Sequence, residues 1–211
     1  NISIGVVAEI KLTKMELRTQ QLKLEQLQKY LPTLQMKKSM LQLEVSNANL
    51  EIERFIFHLG VKKERTQKYV QLFTDPSFDR LLAATQIQNR EVLYDNIAGI
   101  NVPKLEQIDF EKPQYSLFDT PLWFESVLSD IRDLVVARER IQVAKQKKFI
   151  LERELKEVSI RVNLFEKILI PRARGNIRKI KIFLNDQQLA AVSQAKIAKK
   201  KIYQRSLEVN V

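Results

Sequence analysis

Apolar residues recur every seven positions along two long stretches of this 211-residue chain. In the first, from about Leu12 to Phe73, one row runs Leu17, Leu24, Leu31, Val45, Ile52 and Leu59, with Lys38 in its line. A second row, three residues on, runs Leu27, Leu34, Leu41, Ala48 and Phe55, with Gln20 and Lys62 at its two ends. Two apolar rows spaced three and four apart over many heptads predict a helix with a coiled-coil seam, since that spacing keeps one narrow stripe facing a partner helix. At 1.5 Å per residue such a helix extends roughly 85–90 Å. Pro32 lies inside the pattern; it lacks an N–H and crowds the preceding turn, so a bend is expected near Gln28–Leu31 without an end to the helix.

The second repeat follows Thr120–Pro121, a good N-cap and a good first helical residue. Its rows are Leu134, Ile141, Leu155, Val162 and Leu169, with Lys148 in line, and Ala137, Ala144, Leu151, Val158 and Phe165. Each seam would face water unless it met another helix, so the two are expected to pack together, antiparallel, within the chain. With the turn between Thr74 and Thr120, the rows are expected to place Leu24 near Val158 or Phe165, and Leu31 near Leu151 or Val158. The last twenty or so residues then project as a single helix. A strict seven-residue repeat also implies left-handed supercoiling.

Between the repeats the helical period is lost. Asp75–Pro76–Ser77–Phe78 reads as a cap and a short helix reaching about Gln88. From Val92 to Phe118, Asn96, Gly99, Asn101, Pro103 and Pro113 punctuate short apolar pieces, which predicts a small hairpin or irregular cap. The fold class is therefore all-α: two very long antiparallel helices in a left-handed coiled coil, with a short helix and a small β-hairpin or irregular cap at the turn end. Its parts are 1–74, 75–120 and 121–211.

Composition supports long helices, because four Gly and six Pro supply little turn material for a many-stranded fold. The absence of Cys excludes disulfides and thiolate metal sites. No run approaches the eighteen apolar residues of a membrane span, and the first residues lack a signal-peptide pattern, so direct membrane insertion is not expected. The net charge of +11 is uneven. Arg172–Val211 holds ten Lys/Arg against Asp186 and Glu208, a net +8, whereas Asp75–Glu125 holds nine acids against four bases, a net −5. A basic end and an acidic middle suit different partners, although a basic run is also an ordinary solvated helix face.

Candidate chemistry is sparse. His58 is the one histidine, set among Phe55, Ile56, Phe57 and Leu59, and reads as a structural imidazole. Gly175–Asn176 lacks the second glycine and the Lys-Ser/Thr of a phosphate loop. Glu51/Glu53 and Glu152/Glu154 read as solvated coiled-coil faces, not acid/base pairs. Trp123, in the run Pro121–Leu122–Trp123–Phe124, reads as an anchor of the cap. An enzyme and a cofactor are not expected. A basic coiled coil could neutralise nucleic-acid phosphates, yet only Phe183 and Tyr203 among the last forty residues offer aromatic stacking. The other class is a mechanical or scaffolding rod with protein partners.

One run carries more specific information. Arg161, Val162, Asn163, Glu166, Ile170 and Pro171, followed by Ile177, Ile180, Lys181 and Leu184 and a Lys-containing tail, resemble the pattern of the D subunit of the V-type and A/V-type rotary ATPases. Leu12–Leu17, LTKMEL, is similar to that family's first helix, with Leu12 in place of a proline. Tyr30–Lys38 departs from the family's common stretch and retains one leucine and a lysine spacing, which suggests a bacterial branch.

The resemblance implies a non-catalytic central rotor shaft. Its partners would be the catalytic and regulatory subunits of a nucleotide-binding hexamer, the small F subunit of the stalk and a membrane-ring adaptor, with no nucleic acid. The complex would be cytoplasmic and peripheral to the inner membrane. Arg172, Arg174, Arg178, Lys179, Lys181, Lys196 and Lys199 become candidates for facing the hexamer. Ala190, Ala191, Ala195 and Ala198 would keep the tip thin.

Overall fold

The computed structural model describes residues 10–69, 71, 77–111 and 121–208. The elements in order are α1 (Lys14–Gln67), α2 (Ser77–Ala84), β1 (Ile87–Ile97), β2 (Ile100–Phe110), α3 (Phe124–Leu164), a π-helical turn (Phe165–Leu169) and α4 (Ile170–Glu208). The fold is all-α with one hairpin, as the two heptad repeats predict. Thr74, Asp75, Pro76, Pro113, Tyr115 and Thr120 lie outside the described residues, as does the segment before Ile10. Two compact units are present: residues 1–35 with 160–211, and residues 36–159.

In the first unit, α1 begins at a threonine N-cap. The Thr13 hydroxyl accepts the Glu16 N–H at 3.2 Å, and the Thr13 carbonyl accepts the Leu17 N–H at 3.0 Å. α1 continues through Pro32, whose missing donor leaves a carbonyl one turn back on an exposed surface, where water can satisfy it. Opposite lie the π-helical turn and α4. Asn176 Nδ2 donates to Gln20 Oε1 at 3.4 Å, and Gln35 Nε2 donates to Glu166 Oε1. The higher α1 residue meets the lower partner residue, so the segments are antiparallel.

In the second unit, α1 and α3 are joined by Lys147–Glu51 at 3.0 Å and Lys62–Asp133 at 2.8 Å, again antiparallel. α2 and the start of α3 form a compact cluster of Leu81, Ala84, Phe124, Val127 and Leu128, against which Trp123, Tyr69 and Phe78 pack. Trp123 thus anchors this end of the unit, as its position beside the proline suggested. α3 starts one turn beyond Pro121, whose carbonyl accepts the Phe124 N–H.

The strands pair antiparallel around Ala98–Gly99. Both turn residues have positive φ, 52° and 81°, the twist that suits a two-residue hairpin, and the Asn96 side chain accepts the Gly99 N–H at 3.0 Å. The expected short helix to Gln88 is corrected: α2 ends at Ala84 and β1 is already extended at Ile87. Val102 and Pro103 are buried, and Arg90 is held to Glu139 of α3 at 2.9 Å.

The register differs from the expected one. From the Gln20–Asn176 contact, one turn along α1 puts Leu24 at the level of Arg172–Ala173, not Val158 or Phe165. From Gln35–Glu166, Leu31 lies near Ile170, not Leu151 or Val158. The reason is degeneracy: heptad rows superpose after every slip of seven residues, so the rows alone permit several alignments. Specific polar contacts such as Gln20–Asn176 and Gln35–Glu166 select one.

Candidate functional site

Sequence reasoning assigned importance to three groups, and the structure places each. None of the seam residues is fully exposed. Leu27, Leu41, Ile52, Ile141, Leu151, Val158 and Val162 are buried; Leu17, Leu24, Leu31, Leu34, Val45, Phe55, Leu134, Leu155, Phe165 and Leu169 are half-buried. Of the family-motif residues, Val162, Ile170 and Ile180 are buried, Ile177 and Leu184 half-buried, and Arg161, Asn163, Glu166 and Pro171 are on the outside. The candidate cations Arg172, Arg174, Arg178, Lys179, Lys181, Lys196 and Lys199 lie on the outer side of α4.

The π-helical turn explains that division. Continuing the rows of Val162 and Phe165 by sevens would bring Arg172, Asn176, Lys179 and Phe183 onto the seam. The Ile170 N–H instead reaches back to the Phe165 carbonyl, one residue further than in an α-helix. The wider turn also relieves the clash a proline ring makes with the carbonyl four residues before it, here that of Lys167. One residue is thereby inserted into the repeat, and the inward positions become Ile170, Ala173, Ile177, Ile180 and Leu184. Arg172 and Lys179 turn outward. Glu166, in the turn itself, receives the Gln35 amide one turn after Pro32, so the two proline-bearing stretches lie side by side.

A groove between the start of α1 and α4 opens over the small Ala173. Gln20 and Asn176 line it, Lys11, Lys23 and Arg172 rim it, and Glu16 supplies the acid. Beyond Leu184 every described side chain to Arg205 is exposed, including Leu189, Val192, Ile197, Ile202 and Tyr203. Residues 36–159 contain 19 basic and 19 acidic side chains, so the whole formal charge of +11 belongs to the other unit.

His58 is exposed, its ring edge-on to Phe57 at 6.1 Å between centroids, so the reading as a structural core imidazole is corrected. Its neighbours Phe55 and Leu59 face the seam, and the helical turn puts residue 58 on another side. Among the described residues no group of three or more His, Cys, Asp or Glu could hold a metal ion, and no helix is long and apolar enough to cross a membrane.

Arg132 is a structural residue that sequence reasoning missed. Its guanidinium donates to the Ala84 carbonyl at 2.7 and 3.1 Å and to the Glu111 carbonyl at 3.3 Å, and lies 5.0 Å from the centre of the Phe110 ring. One side chain thus ties the end of α2 to the end of β2. Its only sequence signal is a base on an otherwise half-buried helix face.

Fold and surface together define a coiled-coil protein of paired helices, with an apolar interior, a hairpin insertion and a strongly basic α4. The chain belongs to the ATP synthase D-subunit family, whose model matches residues 16–200. It is 42% identical to the V-type ATP synthase D subunit of Chlamydia felis over 202 residues, covering 95% of this chain and 97% of that protein. The corresponding protein of Chlamydia caviae is 43% identical over the same length and shares. That of Chlamydia trachomatis serovar L2 is 40% identical over 198 residues, 93% of this chain and 98% of its own.

Proposed function

We propose that this chain is the non-catalytic central-stalk subunit of a bacterial V-type rotary ATPase. It transmits rotation between an ion-translocating membrane ring and a nucleotide-binding hexamer. Its partners in this reading are the hexamer's catalytic and regulatory subunits, the small F subunit of the stalk and an adaptor on the ring, and its place is peripheral to the cytoplasmic face of the inner membrane. ATP chemistry resides in the other chains.

The observation that supports this most is the outward set of cations on an interlocked helical pair. A torque-bearing element needs stiffness, which successive seam layers such as Leu41, Ala48, Leu151 and Val158 provide by interdigitation. It also needs a surface that differs around its axis, because a uniform one could not place three catalytic interfaces in three different states. Arg172, Arg174, Arg178, Lys179 and Lys181 give α4 such a surface, and they suit acidic loops of a surrounding hexamer. Lys196 and Lys199 continue the charge along the exposed tail.

The triple variant Arg172→Ala, Arg174→Ala and Arg178→Ala tests this. All three side chains lie outside the seam, so helix content and unfolding midpoint should be unchanged. In a reconstituted complex, ion pumping per ATP hydrolysed should fall. ATPase activity, pumping and torque all equal to those of the wild type would refute the assignment of these residues.

A further inference from the structure

The groove over Ala173 gathers positive charge that the chain itself leaves unneutralised. Lys11 and Lys23 reach it from the start of α1 and Arg172 reaches it from α4, so both walls are cationic. Lys11 is fixed by a turn in which its carbonyl accepts the Thr13 N–H at 3.0 Å. Among the described residues none of these three cations forms an ion pair. The one acid of the groove, Glu16, is engaged elsewhere: its Oε1 accepts the Gln20 amide at 2.8 Å, and Gln20 Oε1 in turn accepts Asn176 Nδ2 at 3.4 Å. This chain of amides crosses from α1 to α4 and gives the groove a half-buried polar floor. The second unit is built differently. There Lys62, Arg90 and Lys147 each meet a carboxylate, and its bases and acids are equal in number, whereas the remaining 17 basic and 6 acidic side chains belong to residues 1–35 and 160–211.

Like charges facing one another across a concave, partly desolvated space repel, and an anion placed between them removes that repulsion. We propose that this groove binds a phosphate group, held between Lys11 and Lys23 on one wall and Arg172 on the other. Three cations and one carboxylate leave the groove at +2, which matches a phosphate dianion and exceeds what one chloride or one carboxylate neutralises. The donor set suits the same ligand. A guanidinium grips two phosphate oxygens at once, the two ammonium groups act as point charges on the others, and Asn176 Nδ2 carries a second N–H beyond the one given to Gln20. The groove encloses about 460 Å³, within the ~300–1,000 Å³ of small-ligand sites, because Ala173 is small where the helices pass. Its remaining side chains, Ile10 and Leu169, are aliphatic, so no aromatic ring is there to stack on a base and recognition falls on the phosphate itself. A bound phosphate bridges α1 to α4 and ties the two helices together. The inference goes beyond the ATPase assignment and stands independently of it.

The test titrates the full-length chain with inorganic phosphate at constant ionic strength, made up with sodium chloride, and follows the side-chain amide resonances of Gln20 and Asn176. Both should shift and saturate, and the unfolding midpoint should rise with phosphate but not with chloride. Lys23→Ala and Arg172→Ala should each weaken binding about tenfold while keeping helix content, since both side chains are exposed. Lys199→Ala removes the same charge from the exposed tail and should change binding less than twofold. An equal loss in Lys199→Ala and Arg172→Ala overturns the proposal, because it means a diffuse counterion atmosphere in place of a site. Absence of saturation, or acetate binding as tightly as phosphate, overturns it too. ATP titrated in parallel identifies the source of the phosphate group: tighter binding of ATP assigns the groove to a nucleotide's phosphate chain, and equal or weaker binding assigns it to the free ion, either of which upholds the site.

Discussion

If the π-helical turn is a one-residue insertion that re-phases the seam, removing one residue there should restore an unbroken heptad, whereas removing one further along should destroy it. Deletion of Lys167 together with Pro171→Ala gives a regular helix in which Ile170, Ile177 and Leu184 fall seven by seven after Val162, and Ala173 and Ile180 after Phe165. No inward position changes its side chain. Pro171→Ala is included because in a regular helix the proline would clash with the turn before it, at about 3 kcal/mol. Deletion of Arg174 with the same Pro171→Ala change is the control. There the turn and Ile170 are kept, but Ile177, Ile180 and Leu184 rotate by about a quarter turn away from α1.

The magnitudes separate the two cases. Ile180 is fully buried, and Ile177 and Leu184 half-buried. Burial of a large aliphatic side chain contributes about 1.5–3 kcal/mol, so the control should lose roughly 3–5 kcal/mol in all. The Lys167 deletion removes one exposed cation and no apolar contact, and should lie within about 1 kcal/mol of the wild type. Urea unfolding followed by circular dichroism reads both, with the slope on denaturant checked to be unchanged. Equal destabilisation by the two deletions would refute the phase argument, and with it the account of why Arg172 and Lys179 face outward.

Four further outcomes follow from particular side chains. Arg132→Ala should lower stability by about 2–3 kcal/mol through the lost charged hydrogen bonds to the Ala84 and Glu111 carbonyls and the contact with Phe110. Hydrogen exchange should then accelerate at the end of β2, and Arg132→Lys should rescue little, because a single ammonium lacks the planar fork. Leu41→Ala should cost about 2–5 kcal/mol, because Leu41 is fully buried, while Leu43→Ala two residues on should change the free chain's midpoint by less than about 0.5 kcal/mol. Ala98→Gly should stabilise the hairpin by up to about 1 kcal/mol, since Ala98 holds a left-handed conformation that glycine adopts freely; a lower unfolding midpoint would contradict this. Deleting residues 204–211 should leave the unfolding midpoint unchanged, because the preceding described tail already makes no buried contact; a fall of several degrees would contradict it.

The two long helices and their seam were legible in the sequence because periodicity reports a burial pattern directly. Leu41, Leu151 and Val158 could be placed inside from spacing alone. Register was not legible, and the cause is general: a perfect repeat is the least informative guide to its own alignment. Gln20 with Asn176 and Glu51 with Lys147 decide it, and nothing in either stretch alone names the other. The hairpin was visible as a break in period punctuated by Gly99 and Pro103. Its first strand was hidden because Ile87 follows a short amphipathic helix without any turn residue but Thr85 to mark the change.

The candidate surface divides in the same way. Pro171 marked an irregularity in sequence, but a proline alone signals a bend, and the re-phasing it accompanies appears only when Ile170 is seen to bond to Phe165. That single shift explains a spacing within the motif that a strict heptad does not: Val162 to Ile170 is eight residues, while Ile170 to Ile177 and Ile177 to Leu184 are seven. The motif is thus a packing rule before it is a contact list. Its apolar members hold α4 against α1, and the extra residue turns the intervening arginines and lysines outward.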